Sequence, residues 1–256
     1  MEKGFLSLKF RETISFLEMD ILKNAGDILF LDIETVTGTA SYHELSDRLK
    51  HLWTKKSGMI DDQKEPDELY FEKGAIFSEF GKVITISVGF FFFQQGELSL
   101  KIKSFWGHNE KELLEDFKRL LEKFDPRKLR LCAHNGKEFD FPYLCRRMLI
   151  NSIPIPEALN ISGKKPWEIL HYDTLEMWKF GDRKNYTSLE TLATVFDIPT
   201  SKDQMDGSYV NVSYYKEDGL DAIRTYCEKD VLVTAQVFLR LHCLELVREK
   251  NILFCN

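Results

Sequence analysis

Five side chains in three short segments carry the chemistry this sequence can do. Asp32 and Glu34 close an apolar run, DILFLDIE, at residues 27–34. Side chains alternate along a strand, so Asp32 and Glu34 share one side while Ile33 points into the core. Two neighbouring carboxylates repel each other, and a divalent cation is the charge that leaves both ionised. An acidic strand end is also an ordinary polar terminus, so the pair alone decides little.

The second segment is AHNGKEFD, residues 133–140. Asn135 and Gly136 suit a tight turn, and Asp140 stands near the start of the helix that follows. An acid in that place also complements the helix dipole. His134, in the same turn, reads as a hydrogen-bonded structural residue. The third segment is YCEKD, residues 226–230. Residues four apart lie on one helix face, so Tyr226 and Asp230 present a phenol and a carboxylate to the same space. A half-buried tyrosine beside a solvated aspartate is the plain alternative. Together, the three segments supply four carboxylates and one phenol.

The elements that must position them can be read from periodicity. Asp27 to Ile33 is a strand, and Tyr42 to Trp53 has the spacing of an amphipathic helix. Residues 54–75 are polar, contain Gly58, Pro66 and Gly74, and read as a long loop or insertion. Strands follow at Lys82 to Phe93 and Leu98 to Phe105, joined by a turn at Gln94-Gln95-Gly96-Glu97. Glu110 to Phe124 is the clearest amphipathic helix, and Pro126 stops it. A fourth strand at Leu129 to Ala133 precedes a helix at Phe139 to Met148. A fifth strand lies around Ile169 to Thr174, and helices cover Ser188 to Phe196 and Leu220 to Leu246. Residues 10–23 have the spacing of a leading helix. The order predicts an α/β domain with a mixed five-stranded sheet flanked by helices. The whole of 1–256 reads as one domain, with an insertion at about 36–79.

Composition narrows the function classes. The 256 residues carry a net charge of −6, which argues against non-specific coating of a polyanion. The five cysteines are odd in number and none are spaced C-x-x-C, so neither a disulfide framework nor a zinc ribbon is expected. Reduced thiols in a cytoplasmic protein are the simpler reading. The N-terminus lacks the apolar core of a signal peptide, and Val83 to Phe93 is too short to span a bilayer. No membrane association is expected.

The three segments, in this order, resemble the motifs of the DEDD 3′–5′ exonucleases. The third resembles that of the tyrosine subgroup, because it is Tyr-x-x-x-Asp. The histidine subgroup has its histidine five residues before the aspartate, where this chain has Thr225. EFGKVITISVGFF at 79–91, DTLEMW at 173–178, MDGSYV at 205–210 and YCEKDVLVT at 226–234 resemble predicted exonucleases related to the proofreading domain of family B DNA polymerases. The likeness runs from about Asp27 to Leu241, and no polymerase domain follows it.

That resemblance implies an RNase H-like (exonuclease) fold and two divalent ions, Mg²⁺ or Mn²⁺. Asp32, Glu34, Asp140 and Asp230 are the implied metal ligands, with Asp32 bridging both ions, and Tyr226 is the implied orienting phenol. The implied partner is the 3′ end of a single-stranded nucleic acid, DNA ahead of RNA. Trimming of RNA 3′ ends, an inactive nucleic-acid-binding module, and docking of a protein through residues 54–75 are the alternatives. Phe139 and Phe141 are candidates for stacking on bases, although Phe141 also suits the core. Lys137, Arg146, Arg147, Lys164, Lys165, Arg183 and Lys184 are candidates for phosphate, although cations on helices are usually just solvated.

Overall fold

The computed structural model describes residues 23–182, 184, 186–200 and 207–255. Residues 10–22 of the leading helix expected at 10–23, Arg183, and the first two residues of MDGSYV lie outside them. Six strands form one mixed sheet in the order β5-β4-β1-β2-β3-β6. They are β1 (Ile28–Thr37), β2 (Gly81–Gln94), β3 (Glu97–Trp106), β4 (Arg130–Ala133), β5 (Tyr172–Asp173) and β6 (Ile252–Cys255). β2 runs antiparallel to β1 and β3, and the other pairings are parallel. The five expected strands are present. β6 is a sixth that periodicity did not reveal, being four residues long and an edge.

Eight α-helices are described: α1 (Asp47–Ile60), α2 (Pro66–Lys73), α3 (Glu110–Leu121), α4 (Asp140–Ile150), α5 (Thr174–Lys179), α6 (Leu189–Val195), α7 (Val210–Lys216) and α8 (Leu220–Leu241). Local chemistry explains their ends. Asn109 caps α3 by accepting from the Glu112 N–H. The α8 helix stops at Leu241 rather than Leu246. Cys243 takes a left-handed φ of 59°, and the Leu244 N–H turns back to the Leu239 carbonyl. Between β2 and β3, Gln95 and Gly96 both have positive φ, 52° and 81°, as a tight two-residue hairpin turn requires.

The stretch at 54–75 is helical rather than a loop. Ser46 caps α1 and Pro66 opens α2. Trp53, Leu69 and Tyr70 bury with Leu45 and Phe80 in a small core of their own. Within 54–75 only Leu69 and Tyr70 enter this core, too few in a polar sequence to give a clear period, which is why composition points to a loop. The insertion docks on the end of β1. The buried Asn211 of α7 accepts from the Thr37 N–H at 3.0 Å and donates to the Phe71 carbonyl at 2.9 Å.

The sheet separates two cores. Leu29, Leu31 and Ile33 pack with Leu114 and Phe117 of α3 and Phe141 and Leu144 of α4. Ile28 and Phe30 pack with Val231, Ala235 and Phe238 of α8 on the other face. Among the described residues, no helix is long and apolar enough to cross a membrane.

Candidate active site

The alternation of β1 places the first two acids. Its odd residues face α3 and α4, so Asp32 and Glu34 continue the row of Ile28 and Phe30 that faces α8. Opposite them on β2 stand Ser87 and Thr85. The register shifts between Glu34 and Thr35, so β1 is irregular just past the second acid.

The α8 helix meets the sheet along Cys227, Val231, Ala235 and Phe238, a row with helical period. Tyr226 and Asp230 stand at the edge of that row and are half-buried. The Tyr226 hydroxyl lies close enough to the Asp230 carboxylate to favour its ionised form.

Asp140 arrives from the third direction. The chain leaves β4 at Ala133 and turns through Asn135, which has a φ of 63°. A Cβ on Gly136 would lie 2.3 Å from that of Ala133, so the turn admits only glycine there. Asp173, 2% exposed at the end of β5, holds this turn. Its Oδ1 accepts from the Asn135 N–H at 3.0 Å and its Oδ2 from the Lys137 N–H at 3.1 Å. The same Oδ1 caps α5 through the Leu175 and Glu176 N–H groups. Asp140 itself is 4% exposed. The N–H groups of Asp140 itself and of Ile33 on β1 stand near its carboxylate and favour its ionised form.

The four carboxylates thus converge, and their electrostatics follow. Burial pushes Asp32 and Glu34 well above the usual carboxylate range. The charges of Asp230 and Asp140 push both higher, and Glu34 adds to the effect on Asp32. Burial, with Asp173 and Asp230 beside it, raises Asp140 to about 7 despite the opposing N–H groups. Burial raises Asp230 to about 6, and the nearby Tyr226 hydroxyl opposes the rise. Burial and the carboxylates of Asp230, Glu34 and Asp32 push the Tyr226 phenol far above its ordinary value, so it holds its proton.

The donor set suits a hard divalent cation. Four carboxylates offer oxygens alone, which fits Mg²⁺ or Mn²⁺ better than Zn²⁺. The Asp32 Oδ2 is buried and has no hydrogen-bond partner, an arrangement that costs stability unless something positive meets it.

Two neighbours escaped the sequence reading. Asp173 is visible only as part of DTLEMW, and the turn it holds lies almost forty positions away. Cys227 was grouped with inert thiols. It lies with the carboxylate oxygens of Asp32 and Glu34, the three ligand atoms all within 4.8 Å of one another. Its thiol donates to the main-chain oxygen of Asp32 at 3.3 Å. The helical row with Val231 and Ala235 was the available signal that it faces the sheet.

Other candidates are placed elsewhere. His134 bonds Thr174 Oγ1 and the Thr187 carbonyl, both at 2.9 Å, and is structural as expected. Phe141 is fully buried and cannot stack on a base. Arg147 is buried in a bidentate pair with Glu110, so it is not a phosphate contact. Lys137 pairs with Glu176 at 2.7 Å. Phe139 is half-buried, and Arg146, Lys164, Lys165 and Lys184 are exposed.

Residues 76–250 match the model of a family described as predicted 3′–5′ exonuclease related to the exonuclease domain of PolB. The chain belongs to this family. As a member of this exonuclease family it is a hydrolase of nucleic acid. The matched span contains Asp140, Tyr226 and Asp230, whereas Asp32 and Glu34 precede it and reach the same place through β1. The fold is similar to that of the family B DNA polymerase from the hyperthermophilic archaeon Pyrobaculum calidifontis, with a TM-score of 0.54 at 15% identity. That likeness covers 83% of this chain and 24% of the polymerase, so the chain spans about a quarter of its length. No curated protein matches the sequence.

Proposed function

We propose that this exonuclease removes nucleotides one at a time from the 3′ end of a single-stranded nucleic acid, with DNA as the preferred polymer. We place it in the tyrosine subgroup of DEDD enzymes. Asp32, Glu34, Asp140 and Asp230 are the proposed ligands of two divalent ions, Mg²⁺ or Mn²⁺. Tyr226 is the proposed catalytic phenol. The whole chain is read as one exonuclease domain carrying the 36–79 insertion, working in the cytoplasm.

The observation that carries this reading is the convergence of four carboxylates around a buried Asp32 oxygen that has no partner. Carboxylates so placed ionise together at neutral pH only beside a positive charge. When bound, the ions supply charge against the phosphoryl oxygens and an acidic water for attack. The chain's residues do the rest. Asp32 and Glu34 fix the centre from a rigid strand, while Asp140 and Asp230 close it from two helices. Tyr226 keeps its proton and orients a water or a phosphoryl oxygen next to Asp230. DNA is preferred because the family is related to a DNA polymerase exonuclease domain.

The test is a degradation ladder on 5′-labelled single-stranded DNA and RNA with Mg²⁺, Mn²⁺ or EDTA. Stepwise shortening from the 3′ end, lost in EDTA and in Asp32→Ala, is the expected result. A ladder on RNA alone would overturn the choice of polymer. No cleavage of either would overturn the assignment of the site.

A further inference from the structure

We propose that Asp32, Glu34 and Cys227 form a second cation site, one that takes Zn²⁺ through sulfur and shuts the enzyme down. The inference rests on the reading that Asp32 and Glu34 hold the working ions.

The geometry carries it. One oxygen each from Asp32 and Glu34 and the Cys227 Sγ lie within 4.8 Å of one another. Around a tetrahedral Zn²⁺, with Zn–S near 2.3 Å and Zn–O near 2.1 Å, neighbouring ligand atoms are roughly 3.4–3.6 Å apart. Small side-chain rotations close that difference. One of the acids already has an unmet need. The Asp32 Oδ2 is buried with no hydrogen-bond partner, and Cys227 is fully buried beside the main chain of the same residue. Three protein ligands with a fourth position open to water is a familiar arrangement for zinc.

Ligand softness then separates two classes of ion. Mg²⁺ and Mn²⁺ take the carboxylate oxygens and leave Cys227 a thiol, bonded to the Asp32 main-chain oxygen at 3.3 Å. Zn²⁺ also takes the sulfur. In that step a Zn–S bond forms, the S–H bond breaks, and the proton leaves to solvent. Nothing is oxidised or reduced. The bound ion occupies the oxygens of Asp32 and Glu34, so the working ions cannot bind as a pair.

The test uses metal-free full-length protein and Cys227→Ser, with Cys227→Ala as a second variant should the serine form fail to fold. Cd²⁺ serves as the spectroscopic stand-in for Zn²⁺. The expected result is an ultraviolet thiolate-to-Cd²⁺ charge-transfer band in the wild type that exceeds that of the variant by one ion per chain. The other cysteines are present in both and give the same background. Zn²⁺ should raise the melting temperature of the wild type more than that of the variant, whereas Mg²⁺ should raise both alike. Where Mn²⁺ supports hydrolysis, half-inhibition by Zn²⁺ should need at least tenfold more ion in the variant, each protein normalised to its own rate. Equal Cd²⁺ bands in the two proteins, or equal inhibition by Zn²⁺, would overturn the proposal. Absence of any hydrolysis would instead overturn the function above, and the Cd²⁺ band would still decide this site.

Discussion

Tyr226 and Asp230 stand one turn apart on α8, and the phenol of the first lies close enough to the carboxylate of the second to favour its ionised form. The contact couples the hydroxyl proposed to orient to an acid proposed to hold an ion. It also lowers the Asp230 pKa, which burial alone would push beyond its value of about 6. In Tyr226→Phe the ring remains and only the hydroxyl is lost. Hydrolysis should fall by roughly 10–100-fold, the range expected for a group that orients rather than transfers a proton. Because the Asp230 pKa rises in the variant, the acid limb of the pH–rate profile should move to higher pH. A profile and rate equal to wild type would make Tyr226 a packing residue.

Removing one of the crowded acids should have opposite effects with and without metal. In the metal-free protein, Asp32 is raised by burial and by three neighbouring carboxylates. Asp32→Asn removes that repulsion and should stabilise the metal-free form by on the order of 1–3 kcal/mol. It should also end the stabilisation by Mn²⁺ and lower hydrolysis by at least roughly 1,000-fold, because several kcal/mol of metal-borne stabilisation are lost. Calorimetric melts with EDTA and with Mn²⁺ check both signs. A metal-free melt below that of wild type would show that Asp32 supports the fold rather than an ion.

Much of this site was legible because its placement is local. A period of two puts Asp32 and Glu34 on one side of β1, and a period near four puts Tyr226 and Asp230 on one side of α8. The hairpin at Gln95-Gly96 and the α3 helix were equally readable, since each is written in consecutive residues. What stayed hidden depends on distant partners. Asp173 acts on a turn almost forty positions earlier, and Cys227 bonds Asp32 across 195 positions. Arg147 looks like any helix cation until Glu110, 37 positions away, closes on it. No period in one segment reports such pairings.

Asp173 should hold the turn before Asp140 through bonds that its variants divide. Asp173→Asn retains the Oδ1 that accepts from Asn135, Leu175 and Glu176, and loses the Oδ2 that accepts from Lys137. Asp173→Ala loses all four. The asparagine form should therefore cost about 1 kcal/mol and the alanine form about 2–4 kcal/mol, since buried N–H groups are left unpaired. The asparagine form should also lower the Asp140 pKa, because the Asp173 charge raises it. Urea unfolding of both variants checks the order. Equal losses would mean that the hydrogen bonds are not the cause.

Arg147 and Glu110 should prove structural. Both are nine-tenths buried, and Arg147 also donates to the Ser78 carbonyl at 2.7 Å while Glu110 accepts from the Val83 N–H at the same distance. Arg147→Met strands the Glu110 charge and should destabilise the protein by roughly 3–5 kcal/mol. Binding of single-stranded nucleic acid by the fraction that remains folded should be unchanged. Weaker binding without loss of stability would restore Arg147 as a phosphate contact.

His171 should make the fold sensitive to acid. Its Nδ1 accepts from the Leu131 N–H at 3.1 Å, and its Nε2–H donates to the Ala158 carbonyl at 2.8 Å, so the ring ties β4 to the 156–160 segment as a neutral imidazole. Burial holds its pKa at about 4, below the ordinary 6.5. A base whose pKa falls on folding contributes stability that is present above 6.5 and is lost as pH drops through 6.5 towards 4. The separation amounts to on the order of 3 kcal/mol. The raised carboxylates change stability in the opposite direction over the same interval, so wild type alone would mix the two. The difference in urea-unfolding free energy between wild type and His171→Gln isolates the histidine, because the carboxylates are common to both. That difference should be largest at pH 7.5 and should shrink steadily between pH 6.5 and pH 4.5. A difference that stays constant across the interval would show that His171 titrates alike in the folded and unfolded chain, so that burial does not hold it neutral.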